Sequence, residues 1–182
     1  MSVVLALALG VASGLNPYVT VAITSVVAAR SDLLTPAPAF AFVASPGMFV
    51  GALLLLPIDI FADKFPGSGG LMDRVGWVVR PVAGGIVGGA ALAVGGPGVF
   101  LGVALGAGAA LATHALRLRT RRRVQWRMLG FGRIVFGAYG DFGSGIVAMI
   151  ALLTPPLGLA IAASLIMAAV LVDRRWGGEA PT

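Results

Sequence analysis

The chain has 182 residues, of which 58% are hydrophobic and only 11% charged, and 13 basic against 7 acidic side chains leave a formal net charge of +6. Soluble domains carry about 25% charged residues, so the composition excludes a water-soluble globule and a disordered chain. Zero cysteines and a single histidine exclude thiol chemistry, a disulfide framework and clustered metal ligands. What remains is an all-α integral membrane protein, read as one domain over residues 1–182.

Residues 3–29 carry no charge and are long enough for one span, which takes about 20 apolar residues. The run is too long, and too poor in N-terminal basic residues, for a secretory signal. Asn16-Pro17 lies at its middle. Proline removes a backbone donor and frees a carbonyl, and asparagine can satisfy such a group or cap a restarted half-helix. A broken helix lining a polar cavity and a packed proline kink both fit. Residues 37–61 predict a second span, interrupted at Ser45-Pro46-Gly47 and ending around Pro57 and Asp59. Residues 75–116 are too long for one span and divide at Gly95-Gly96-Pro97-Gly98, which predicts spans over 75–94 and 99–116. The fifth covers 134–153, stopped by Pro155-Pro156. The sixth covers 157–172 and closes at Asp173-Arg174-Arg175.

Basic residues resist translocation and collect on the cytoplasmic side. Six spans with both termini inside put every basic residue except Arg30 on that side, including the seven arginines from Arg117 to Arg133. The expected location is a bacterial cytoplasmic membrane, crossed several times. Three spans and three spans give halves of opposite orientation, 1–94 and 99–175, which is the arithmetic of an inverted repeat with broken helices. An ordinary six-helix bundle is the alternative.

Polar groups inside apolar helices are the functional candidates. Asp59 and Asp63, four residues apart, share a helical face beside Lys64. They read either as interfacial ion pairs or as a carboxylate site for a cation or proton. Asp141, within Tyr139-Gly140-Asp141-Phe142, lies well inside the fifth span, where a carboxylate costs several kcal/mol unless paired, hydrated or protonated. His114 is expected as an interfacial or packing residue more than as a proton relay. Glycines at four-residue spacing (Gly84 and Gly88, Gly85 and Gly89, Gly102 and Gly106) predict close helix approach, within the chain or in a homo-oligomer. Arg117, Arg119, Arg121, Arg122 and Arg123 follow a span directly, and this arginine-rich loop is expected to meet anionic lipid headgroups rather than nucleic acid. No glycine-rich stretch has the form of a phosphate loop, and no cofactor is expected.

Three stretches together, Ser13-Gly14-Leu15-Asn16-Pro17-Tyr18, then Asp59-Ile60-Phe61-Ala62-Asp63-Lys64-Phe65-Pro66-Gly67, then Asp73 followed by Arg80-Pro81-Val82-Ala83-Gly84, resemble the small bacterial membrane proteins grouped as domain of unknown function 4126. The resemblance covers nearly the whole chain, with specific motifs in its first half. The family pattern has Glu where this chain has Asp59, followed by an Ala-Asp-Lys-Pro-like motif that Asp63, Lys64 and Pro66 match. In the fifth span its acidic pair reads Gly140-Asp141 here, and its polar loop is arginine-rich here. The resemblance implies a membrane fold and points to Asn16, Asp59, Asp63, Lys64 and Asp73, without an activity.

The expected function is that of a small transporter or permease, with Asn16, Asp59 and Asp141 lining a site for a solute, cation or proton between broken helices. A non-catalytic scaffold or assembly subunit, holding partner helices or lipid, is the second reading. An enzyme ranks third, because no nucleophile accompanies the acids.

Overall fold

The structure, a computed structural model, describes residues 2–64, 69–92, 97–128 and 131–176. Among the described residues every regular element is helical: α1 (Val3–Leu15), α2 (Pro17–Arg30), a 3-10 helix (Pro38–Ala44), α3 (Pro46–Lys64), α4 (Gly69–Ala91), α5 (Pro97–Met128), α6 (Phe131–Leu153) and α7 (Pro155–Trp176). The all-α expectation holds. Local chemistry sets most of the boundaries. Ser2 caps α1 by accepting from Leu5 N, Ser45 accepts from Met48 N at the start of α3, and Pro17, Pro46, Pro97 and Pro155 each open a helix. Proline suits a first helical position because its missing N–H would have no intrahelical partner there.

Among the described residues two helices, Gly98–Arg121 and Pro155–Arg175, are long and apolar enough to cross a membrane; the pair Pro38–Ala44 and Pro46–Phe61, bent by 56°, adds a third if it counts as one span. Val3–Leu15, Pro17–Arg30 and Gly137–Leu153 are apolar but shorter. At Asn16-Pro17 the structure has the broken helix of the two alternatives: the uncharged run 3–29 is two helices of 13 and 14 residues, because the backbone at Asn16 is extended at φ −144° and ψ 111°. The structure differs from the sequence reading at one place. The arginine-rich segment is no loop: α5 continues through it to Met128. Arginine, leucine, glutamine and methionine are good helix formers, and nothing between Leu116 and Met128 breaks a helix. Of the expected break at Gly95-Gly96-Pro97-Gly98, Gly95 and Gly96 lie outside the described residues, and Pro97 starts α5.

Helix α1 is the axis of the molecule. It is buried almost continuously from Leu5 to Leu15 and packs against α4, α5, α6 and α7. The glycine faces make this possible. A methyl group on Gly84 would lie 2.5 Å from the Gly106 carbonyl oxygen, and one on Gly10 would lie 2.6 Å from the same atom. Helices α1, α4 and α5 therefore meet backbone to backbone around Gly106, the approach that small residues permit. The spaced glycines of α4 and α5 are used within the chain: Gly88 and Gly102 face each other, Gly85 faces Val103, and Gly89 faces Phe40. Large apolar side chains such as Leu54, Val78, Phe100 and Phe142 point outward, an arrangement compatible with a lipid surround.

Candidate functional site around the break at Asn16

A break in a helix leaves backbone groups without their helical partners, and several of those at Asn16 find others. Pro17 has no N–H, and the amides of Tyr18 and Val19 donate to Asn16 Oδ1, at 3.0 and 3.1 Å, instead of to the carbonyls of Gly14 and Leu15. Asn16 is thus the N-cap of α2. The carbonyls so released receive Arg80, whose Nη1 donates to Gly14 O at 2.9 Å and also to Leu15 O. A guanidinium from α4 therefore closes the C-terminus of α1 while an amide opens α2. Both match the helix dipoles, which leave negative charge at a helix C-terminus and positive charge at an N-terminus.

The other end of the Asn16 amide carries the chemistry. Its Nδ2 donates to Asp141 Oδ1 at 2.7 Å and to Asp59 Oδ2 at 3.4 Å. A side-chain amide has two N–H donors and one oxygen with two lone pairs, so Asn16 spends all of them, two on the backbone of α2 and two on carboxylates from α3 and α6. It is completely buried. The charged partner of Asp59 is Arg80, with Nη2 4.0 Å from Asp59 Oδ2. Arg80 is 4% exposed, whereas the Asp59 side chain keeps 15% exposure. A cavity of about 80 Å³ opens beside this pair, lined by Tyr18, Ile58, Asp59, Gly76, Val79 and Arg80 among others. At about 30 Å³ per molecule of liquid water it holds two or so waters or a small ion with its partners.

Three sequence candidates, Asn16, Asp59 and Asp141, thus converge from three parts of the chain. Asp73 does not join them. It lies seven residues before Arg80 on α4, about 10 Å along the axis, and pairs with Arg121 at 3.1 Å. Between the two lies His114, buried to 1% exposure, with Nε2 3.3 Å from Asp73 O and its ring edge-on to Trp77. Gly76 admits it: a methyl group there would lie 2.7 Å from His114 Cε1 and 3.2 Å from Arg80 Nε. The side chains of Asp63, Lys64, Arg122 and Arg123 lie outside the described residues.

The arginines of α5 divide by face. Arg117 and Arg121, one turn apart, are buried at 4% and 5% exposure, while Arg119 is exposed. Arg117 packs against Gly140, immediately before Asp141, so a second guanidinium approaches the site from the side of α6. The site residue that sequence reasoning missed is Arg80, read only as one of several cytoplasmic-side cations. Its signal was present: a lone arginine inside the apolar run 75–94 needs a buried partner.

Residues 3–175 match the family model described as Domain of unknown function (DUF4126), and the chain belongs to that family. No match is found among curated proteins or among solved structures.

Proposed function

We propose that this DUF4126 protein is a polytopic membrane transporter that moves a small solute, a cation or a proton through the site at the α1–α2 break. The observation that carries this reading is the Asn16 amide held between two carboxylates, Asp59 and Asp141, at the meeting point of two half-helices. Joined half-helices that put capping groups and acids in one place are the usual construction of a coupling site in secondary transporters. Intramembrane acids are expensive unless they serve an ion path. In this reading Asp59 is the entry group, since it borders the cavity, and Asp141 is the inner group.

The same proposal takes the membrane to be crossed six times, with the α1–α2 pair, the bent 3-10 and α3 pair, and α4 to α7 each making one crossing. Helices α4 and α6, at 23 residues each, reach about 35 Å at 1.5 Å per residue, enough for a hydrocarbon core of about 30 Å. A bacterial cytoplasmic membrane with both termini inside, an inverted repeat, and exposed Arg119 at the headgroups belong to this reading as well. The scaffold alternative draws less support, because the glycine faces that would meet partner helices are already filled by the chain's own helices.

Purified protein in liposomes tests the proposal, with proton and monovalent-cation flux read by entrapped dyes under an imposed gradient. The expected result is flux that falls about tenfold or more in Asp141→Asn. Flux absent from the native protein, or unchanged in a folded Asp141→Asn, overturns it.

A further inference from the structure

The small cavity beside Asp59 is not isolated. A second cavity of about 340 Å³ lies between α2, α3 and α4, bordered by Val21, Met48, Gly51, Ala52, Val82 and Ile86 among others. The two share four wall residues, Pro17, Tyr18, Leu55 and Val79. The larger space has an almost wholly apolar lining and falls in the size range of small-molecule sites, about 300–1,000 Å³. Its rim residues Leu55, Val78 and Val82 are 47%, 65% and 55% exposed, so its mouth opens on the outer surface of the helices. A molecule filling both spaces has an apolar body in the groove and a polar end at Asp59 and Arg80.

The chemistry of that end is set by which of the two charged groups is presented. Arg80 is turned inward, with Nη1 on the carbonyls of Gly14 and Leu15 and 4% exposure. Asp59 is the more accessible partner, with 15% exposure of its side chain. The accessible group is therefore a hydrogen-bond acceptor carrying negative charge. The ligand end that complements it is a donor with positive charge, which forms a charge-assisted bond.

From this juxtaposition we infer that the substrate is an amphipathic organic cation, a primary or secondary ammonium with an apolar body. Its nitrogen lies at Asp59 and its hydrocarbon part lies in the groove between α2, α3 and α4. This rests on the transport reading and narrows it, since a bare inorganic cation has no use for the groove. The groove's opening on the outer face lets such a molecule enter from the bilayer, where its apolar body partitions.

Calorimetric titration of the full chain in phosphatidylcholine nanodiscs, corrected for empty discs, tests the inference with three probes. These are 2-phenylethylammonium, its neutral counterpart 2-phenylethanol, and methylammonium, which lacks the apolar body. The ammonium with the ring is expected to bind at least about tenfold tighter than either of the others. Two variants locate it. Asp59→Asn is expected to remove that preference over the alcohol. Gly51→Leu projects into the groove from a position where an added Cβ meets nothing within 4 Å, and it is expected to weaken 2-phenylethylammonium about tenfold while the protein keeps its native unfolding midpoint. Equal affinity for the alcohol and the ammonium overturns the inference, as does undiminished binding in Gly51→Leu. Flux that depends on Asp141 without binding of 2-phenylethylammonium overturns this inference alone. Binding without flux upholds the ligand assigned to the site and overturns the transport reading.

Discussion

Replacing Asn16 by alanine removes a cap and a bridge at once, and the structure lets the two be weighed. The cap consists of two backbone amides, Tyr18 N and Val19 N, both on Asn16 Oδ1; losing an asparagine cap costs about 1 kcal/mol. The bridge consists of the 2.7 Å bond to Asp141 and the 3.4 Å bond to Asp59. A hydrogen bond to a charged group is worth about 1.5–3 kcal/mol, and the long second bond adds little. Asn16→Ala is therefore expected to cost about 2.5–4 kcal/mol by these magnitudes. Asn16→Ser retains a capping oxygen and loses only the bridge, so it should be about 1 kcal/mol milder. Denaturant unfolding in mixed micelles measures both. Adding Asp141→Asn to Asn16→Ala should cost less than the sum of the single changes, because the carboxylate left without its donor is gone. Alanine and serine variants within about 0.5 kcal/mol of the native protein, the usual scatter for sites without special features, would refute the reasoning. So would strict additivity between positions 16 and 141.

Three further outcomes are expected. Arg80→Met removes the donor to two carbonyls and a charged partner of the half-buried Asp59 and should destabilise by about 3–5 kcal/mol in the same assay, with part of the loss recovered in Arg80→Met, Asp59→Leu. Gly106→Ala drives a methyl group into the Gly84 carbonyl and should lower stability by about 1–3 kcal/mol or prevent folding, whereas Gly108→Ala, where an added carbon meets nothing within 4 Å, should be neutral or stabilise by up to about 1 kcal/mol through helix propensity. In the cysteine-free background, exposed Thr35→Cys and Arg175→Cys should label with a membrane-impermeant maleimide from opposite sides of the bilayer; labelling from one side contradicts the six-crossing arrangement.

The break at Asn16 was legible because proline and asparagine act locally: one lacks a donor, the other supplies a cap, and neither needs a distant partner. The meeting of Asn16 with Asp59 and Asp141 was legible for a different reason. Few polar groups occur in these apolar helices, and buried ones must find each other. Arg80 was harder to read. Besides Asp59 it meets main-chain carbonyls 65 and 66 residues away, and no side-chain pattern announces a carbonyl. The inward turn of Arg117 and Arg121 was hidden by their neighbours, since a dense run of positive charge reads as a solvated or lipid-facing segment. The structure shows instead a helix whose faces differ, with Arg119 outward between two buried arginines.

Where α1, α4 and α5 cross at Gly106, main chain rests on main chain, and the contact contains no rotatable side-chain bonds. Such a junction has one good fit and cannot slide by exchanging rotamers. Under the proposed transport reading it would serve as the stator of the molecule. Displacement would then fall to the elements seated outside it, above all α3, which leaves the 3-10 helix through a sharp corner at Ser45 and carries Asp59 near its far end. A swing of α3 about that corner would draw one acid away from Asn16 while the other stayed in place, so a single pivot would alter how the two carboxylates share their donor.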